Sequence, residues 1–193
     1  MEKKLLITGF DPFGGESINP AWEAVKCLPD KIGKYILCKL EIPTVFGLGA
    51  KTVLDTAGTL RPDVILCIGQ AGGRNAVTPE RIAVNIRDGR IPDNAGFQPS
   101  GEPVAANGPA AYFATVPVRE MAAAIQNAGL PGTVSNSAGA FVCNDTLYTL
   151  LHHYASTDVQ VGFIHVPYLP EQGQPNLPLA DTVRALEAAI SAM

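Results

Sequence analysis

Residues 63–69 read DVILCIG, an apolar, β-branched run closed by a glycine. Polar and apolar positions do not alternate in it, which is the pattern of a strand covered on both faces. Similar short runs recur along the chain, separated by helical patterns. KLLITG at 4–9 precedes AWEAVKCL at 21–28, and YILCKLEI at 35–42 precedes FGLGAKTVLDTAG at 46–58. Downstream come VREMAAAIQNAG at 118–129, TVSNS at 133–137, FVCNDTLYTLLHHYA at 141–155, VQVGFIHV at 159–166 and LADTVRALEAAISAM at 179–193. Strands alternating with helices predict an α/β fold with a largely parallel sheet covered on both faces. Asn19-Pro20 supplies a cap and a first-turn proline for the first helix.

Bulk properties fit that reading. A chain of 193 residues suits one domain burying about two-thirds of its unfolded surface. With 47% apolar and 17% charged residues it reads as a compact globule. The net charge of −4 and the lack of a basic block make neither nucleic acid nor an anionic membrane an expected partner. MEKKLLITGF has too short an apolar run for a signal segment or a spanning helix, so a cytoplasmic protein is expected. The four cysteines, 27, 38, 67 and 143, contain no CxxC pair and no histidine at ligand spacing. Free thiols are expected, with no metal and no cofactor. Cys27, Cys38 and Cys67 lie in apolar patterns and are expected in the core.

Residues 87–109 break the rhythm, being rich in Gly, Pro, Asn and Asp. Such a stretch suits a lid, an oligomer contact or a plain surface excursion.

Ligands of open α/β sheets bind beyond the carboxyl ends of the strands. Gly9-Phe10-Asp11, Gly69-Gln70, Ser135-Asn136-Ser137 and His165 all follow or end strand-like runs. Cys143 falls in or near the first turn of the helix that follows SNSAGAF, where unpaired N–H groups and the positive dipole end favour a thiolate. It reads either as a nucleophile or as a small core residue. His152 and His153 lie about 13–15 Å further along that helix, too far to serve it. His165 is therefore the candidate base. For an orienting acid, Glu80 in TPERIAVN competes with Asp11, Asp88, Asp93 and Asp145. Two nucleotide motifs fail: GFDPFGGE has Gly15 and Glu16 where a P-loop needs Lys and Ser/Thr, and GLGAKT lacks the third glycine.

Several stretches together resemble the pyroglutamyl peptidase I (pyrrolidone-carboxylate peptidase) family of cysteine exopeptidases. They are GFDPFGGESINPAWEAV (9–25), GQAGGRNAVTPERIAVN (69–85), RIPDNAGFQP (90–99), SNSAGAFVCN (135–144), HVPYLPEQ (165–172) and VRALEAAI (183–190). The resemblance spans nearly the whole chain. It implies one catalytic domain, 1–193, folded as a three-layer α/β/α sandwich with a twisted, largely parallel sheet. It further implies removal of N-terminal pyroglutamate, with Cys143 as nucleophile, His165 as base and acid, and Glu80 as orienting acid. Phe10 and Phe13 are implied as pocket walls, Gln70 as a lactam contact, Arg90 near the reaction centre and Val142 at the ligand ring. Pyroglutamyl peptides are the implied substrate, a homotetramer the implied assembly, and no metal or coenzyme is implied. Two other readings compete: a nucleoside phosphorylase-like transferase, which lacks a phosphate loop here, and a non-catalytic binding protein, which predicts a missing triad member.

Overall fold

The computed structural model describes residues 2–193. β1 (Lys3–Phe10), α1 (Pro20–Cys27), β2 (Lys31–Ile32), β3 (Tyr35–Ile42), α2 (Leu48–Leu60) and β4 (Val64–Gln70) follow in order. Short strands come next: β5 (Thr78–Pro79), β6 (Ile82–Val84), β7 (Arg87–Asp88), β8 (Ser100–Glu102) and β9 (Ala111–Phe113). The chain ends with α3 (Val118–Asn127), α4 (Val142–His153), β10 (Gln160–Val166) and α5 (Leu179–Ser191). The main sheet has the order β2-β3-β1-β4-β10-β5. Its four central strands are parallel, and the two-residue strands β2 and β5 close its edges antiparallel. Edges this short offer little to a foreign strand.

Two cores sandwich the sheet. Leu5, Ile7, Leu66, Ile68, Ile164 and Val166 pack against α1, α3 and α5. Leu6, Ile65, Cys67, Val161 and Phe163 point the other way, onto α2 and α4. Odd and even positions divide in this way because strand side chains alternate between faces. Each fully buried Leu, Ile, Val or Phe contributes roughly 1.5–3 kcal/mol, so two such layers supply the main drive to fold. Asn19 caps α1 as expected, its Oδ1 accepting the Ala21 N–H at 3.1 Å, with Pro20 in the first turn. Among the described residues no helix is long and apolar enough to cross a membrane.

Two expectations need correction. Cys27 is exposed, because it falls on the outer side of the last turn of α1, while Cys38 is half-buried and Cys67 wholly buried. TVSNS forms no strand of the sheet; it makes one isolated bridge, Ser135 to Glu80, and Gly132 just before it makes another, to Val77. Residues 87–109 run mostly exposed over the surface, but they are tied down. β7 pairs with β8, and the buried carboxylate of Asp93 accepts the N–H groups of Phe46, Ala95 and Phe97 at 2.9–3.0 Å. Asn94 ties the same segment to Thr44 and Asp11.

The order of the strands decides where a ligand can sit. The chain moves from β1 outward to β3, then returns across β1 to β4. The crevice beyond the ends of β1 and β4 is thus a topological switch point, the place where open α/β sheets bind ligands.

Candidate active site

β10 lies beside β4 with His165 opposite Gly69 and Phe163 opposite Cys67. Phe163 and His165 share the face covered by α4, their rings 4.8 Å apart. α4 starts on that face, and Cys143 is its second residue. A Cβ built on Gly69 would stand 2.9 Å from Cys143 Sγ and 2.7 Å from Phe163 Cζ. The missing side chain at Gly69 therefore makes the space the sulfur occupies, one rung across from His165. No side chain caps the start of α4, which leaves its first-turn N–H groups for a ligand.

Glu80 reaches the site from the far edge of the sheet. Its N–H bonds Phe163 O at 2.9 Å, and Thr78 stands opposite His165 in the β5–β10 ladder. The carboxylate is wholly buried, with Oε1 2.7 Å from His165 Nδ1 and 2.6 Å from Arg74 Nη1. An ionised carboxylate only accepts, so Nδ1 carries the proton and neutral His165 keeps its lone pair on Nε2. Arg74 also donates to Thr78 Oγ1 at 2.6 Å and to Ser137 O at 2.8 Å. It thereby joins the acid to the loop that leads into α4.

Burial pushes Glu80 up, but the His165 hydrogen bond and charge, with Arg74, outweigh it and hold the carboxyl below its ordinary value. Burial lowers His165, the Arg74 charge adds to that, and the Glu80 bond recovers only part of the loss. The ring is therefore neutral at neutral pH, so its Nδ1–H bond and the Arg74 ion pair are what keep Glu80 ionised. Cys143 is pushed up to about 12, chiefly by burial, then by the charges of Glu80 and Cys67, against smaller help from Arg74 and the local backbone N–H. The helix end alone suggested a resting thiolate. Cys143 is half-buried on the cavity wall, and desolvation outweighs the helix end in raising its thiol.

In front of this cluster opens a cavity of about 660 Å³. Of the residues singled out in the sequence, Phe10, Phe13, Gln70, Arg90, Cys143 and His165 line it. Glu80 stands behind His165. Val142 does not reach the cavity: it is wholly buried in the α2/α4 core, because the first turn of α4 points that position inward. Phe13 and Phe141 line it with their rings 6.0 Å apart, and Phe46 and Phe97 continue the train behind them, Phe141 to Phe46 at 5.2 Å and Phe46 to Phe97 at 5.9 Å. Among the competing acids, Asp11 binds the Thr44 N–H at 2.7 Å, and Asp145 binds the Gly47 N–H at 2.8 Å and Arg87 Nε at 2.5 Å. These two and Asp93 are anchors for loops. Asp88 lines the cavity but is exposed. His152 and His153 are exposed, His152 being 2.7 Å from the Tyr112 hydroxyl. Among the described residues, no three His, Cys, Asp or Glu side chains cluster as metal ligands would.

The family model for pyroglutamyl peptidase matches residues 3–193. The chain belongs to the pyroglutamyl peptidase family. It is 58% identical to the pyrrolidone-carboxylate peptidase of Levilactobacillus brevis, over 98% of this chain and 97% of that one. The corresponding peptidase of Lactobacillus johnsonii is 51% identical, over 98% and 92% of the two chains. Among solved structures, pyroglutamyl peptidase I of Bacillus amyloliquefaciens superposes with a TM-score of 0.95 at 43% identity, covering 99% of this chain and 96% of that one. The pyrrolidone carboxyl peptidase of Thermococcus litoralis gives 0.93 at 36% identity, covering 98% and 92%.

Sequence reasoning missed several residues of this family member's site. Arg74 lies in the quoted GQAGGRNAVTPER, six residues before Glu80, and an arginine so near a candidate acid was a usable signal. Asn144, next to Cys143, is wholly buried and holds Val84 and Ile86 through three hydrogen bonds of 2.8–3.0 Å. Tyr168 packs its hydroxyl over Gly72, where a Cβ would come within 2.2 Å of it. Local sequence carries no sign of either of the last two.

Proposed function

We propose that the chain hydrolyses the amide bond after an N-terminal pyroglutamyl residue, using Cys143, His165 and Glu80 and passing through a thioester. The observation that carries this reading is the buried 2.7 Å Glu80–His165 bond at the rung where Gly69 seats Cys143 Sγ. Nε2 of His165 takes the thiol proton as Sγ bonds the pyroglutamyl carbonyl carbon. Glu80 stabilises the imidazolium that forms, through Nδ1–H. The oxyanion lies against the Cys143 N–H and the first turn of α4, and Arg90 lines the same cavity; one such donor is worth roughly 3 kcal/mol. His165 then gives its proton to the departing amine nitrogen as the C–N bond breaks. A water that loses its proton to His165 attacks the thioester, pyroglutamate leaves, and Sγ regains a proton.

Phe10 and Phe13 supply apolar faces for a flat, uncharged ring, and Gln70 supplies a polar partner for its edge. The four free thiols favour a reducing compartment such as the cytoplasm, and the family resemblance favours an assembly of several copies. The test is release of a fluorescent amine from a pyroglutamyl amide, with the prolyl amide and Cys143→Ala alongside. Cleavage of the pyroglutamyl compound alone, lost by at least about 10³-fold in Cys143→Ala, is expected. Undiminished activity in the variant would sink the scheme.

A further inference from the structure

Gln70 ends β4 and lines the cavity, but it does not stand alone. Gln172, in the loop after β10, meets it: Gln172 Nε2 is 3.1 Å from Gln70 Oε1. Oxygen and nitrogen of an amide look alike, so which group donates must come from partners whose role is certain. Two backbone groups supply that certainty. The Leu169 N–H can only donate, and it points at Gln172 Oε1 at 3.1 Å. The Ile18 carbonyl can only accept, and it lies 3.5 Å from Gln172 Nε2. The Gln172 backbone N–H closes the turn onto Leu169 O at 2.9 Å. Gln172 is thereby locked with its nitrogen toward Gln70, and Gln70 must answer with its oxygen. The Gln70 amide nitrogen has no partner among the described residues and belongs to a residue on the cavity wall.

We propose that Gln172 is a specificity-determining positioning residue: it fixes the Gln70 amide so that the pocket offers an N–H donor, and so selects a ring carrying a carbonyl. This rests on the pyroglutamyl reading. A lactam carbonyl accepts that hydrogen bond. A proline ring has a methylene there and leaves the donor unpaired, the kind of mismatch for which such sites discriminate most strongly. Freed from Gln172, Gln70 can turn its oxygen toward the lactam oxygen, and two acceptors repel.

The experiment compares wild type, Gln172→Glu and Gln172→Met by three readouts. These are kcat and KM for a fluorogenic pyroglutamyl amide, protection of Cys143 from iodoacetamide by 2-pyrrolidone, and the unprotected alkylation rate. The glutamate keeps the acceptor for Leu169 but cannot donate, so Gln70 turns its nitrogen to it and its oxygen to the cavity. KM and the protection constant of 2-pyrrolidone are expected to rise together by about 10–100-fold in Gln172→Glu. A rise of roughly 5-fold is expected in Gln172→Met, where Gln70 is free but not reversed. kcat and the unprotected alkylation rate stay within about 3-fold, since neither the triad nor the sulfur has moved. In a Gln70→Leu background, Gln172→Glu changes the protection constant by less than about 2-fold, because the coupling has gone.

Unchanged protection in a folded Gln172→Glu protein would overturn the inference, and so would an equal loss in kcat, KM and alkylation. Protection by 2-pyrrolidone needs no turnover. A wild type that is protected but does not cleave fails the hydrolytic reading alone, and the variants still decide the role of Gln172. A wild type that is not protected overturns both.

Discussion

Cys143 Sγ rests against Gly69 so closely that a methyl group there would stand 2.9 Å from the sulfur and 2.7 Å from Phe163 Cζ. Gly69 is opposite His165 in the ladder, so the glycine spaces the sulfur and the imidazole. Gly69→Ala is expected to destabilise the fold by about 1–3 kcal/mol through overpacking. It should also cut kcat by more than the stability loss explains, because the sulfur must shift off its rung. Thermal melting and steady-state kinetics on the folded fraction measure the two effects. Normal turnover in a folded Gly69→Ala protein would contradict the geometry.

The acid limb of kcat/KM should have its midpoint below 6.5, the ordinary histidine value, because burial lowers His165 and only its neutral form accepts a proton. Stability follows with the same sign. His165 binds a proton more readily unfolded than folded, so its contribution is present above 6.5 and is lost as pH falls through the lower folded value. Glu80 adds a second loss further into acid, since its folded value is also depressed. A pH–rate profile with its acid midpoint at or above neutrality would show that the Glu80 charge outweighs burial.

Iodoacetamide should alkylate Cys143 slowly at neutral pH and faster as pH rises through the alkaline range, because burial and Glu80 hold the thiol near 12. A fast, pH-independent reaction between mildly acid and neutral pH would instead reveal a preformed thiolate–imidazolium pair. The rate measured against pH on the resting protein separates the two.

Arg74 touches Glu80, Thr78 and the Ser137 carbonyl at once. Arg74→Met is expected to lower kcat/KM roughly 10–100-fold, by loosening the acid that orients His165. It should also move the acid limb to higher pH, since the Arg74 charge is one of the causes that lower His165. Arg74→Lys should restore the limb more than the rate, a lysine carrying the charge without the fork. A fall in rate with an unmoved limb would leave Arg74 only a packing role.

Asp145→Ala should cost about 3 kcal/mol, because it leaves the Gly47 N–H and Arg87 without their buried partner. Denaturant unfolding measures it. Activity should fall as well, since Arg87 begins the segment that carries Asp88, Arg90 and Ile91 to the cavity wall.

Much of the fold was legible because it is written in short-range patterns. Uninterrupted apolar runs such as VILCI announce strands buried on both faces, and Asn19-Pro20 announces a helix start. The residue types near Cys143, Glu80 and His165, and their places at strand and helix ends, also sit within reach of local reading. Val142 was misjudged, and Asp11, Asp93 and Asp145 stayed competitors to Glu80, because a side chain's direction and partner follow from the packing of distant segments.

The sequence by itself determined the alternation of elements, hence the layers, and which residues could do chemistry. Only the tertiary structure decided which of them meet. Strand order and register bring Gly69, His165, Glu80 and Cys143 to one rung region from positions up to 96 residues apart. Their protonation states follow from the water excluded there and from the single arginine that reaches the acid, and both are properties of the assembled layers that no local window of sequence contains.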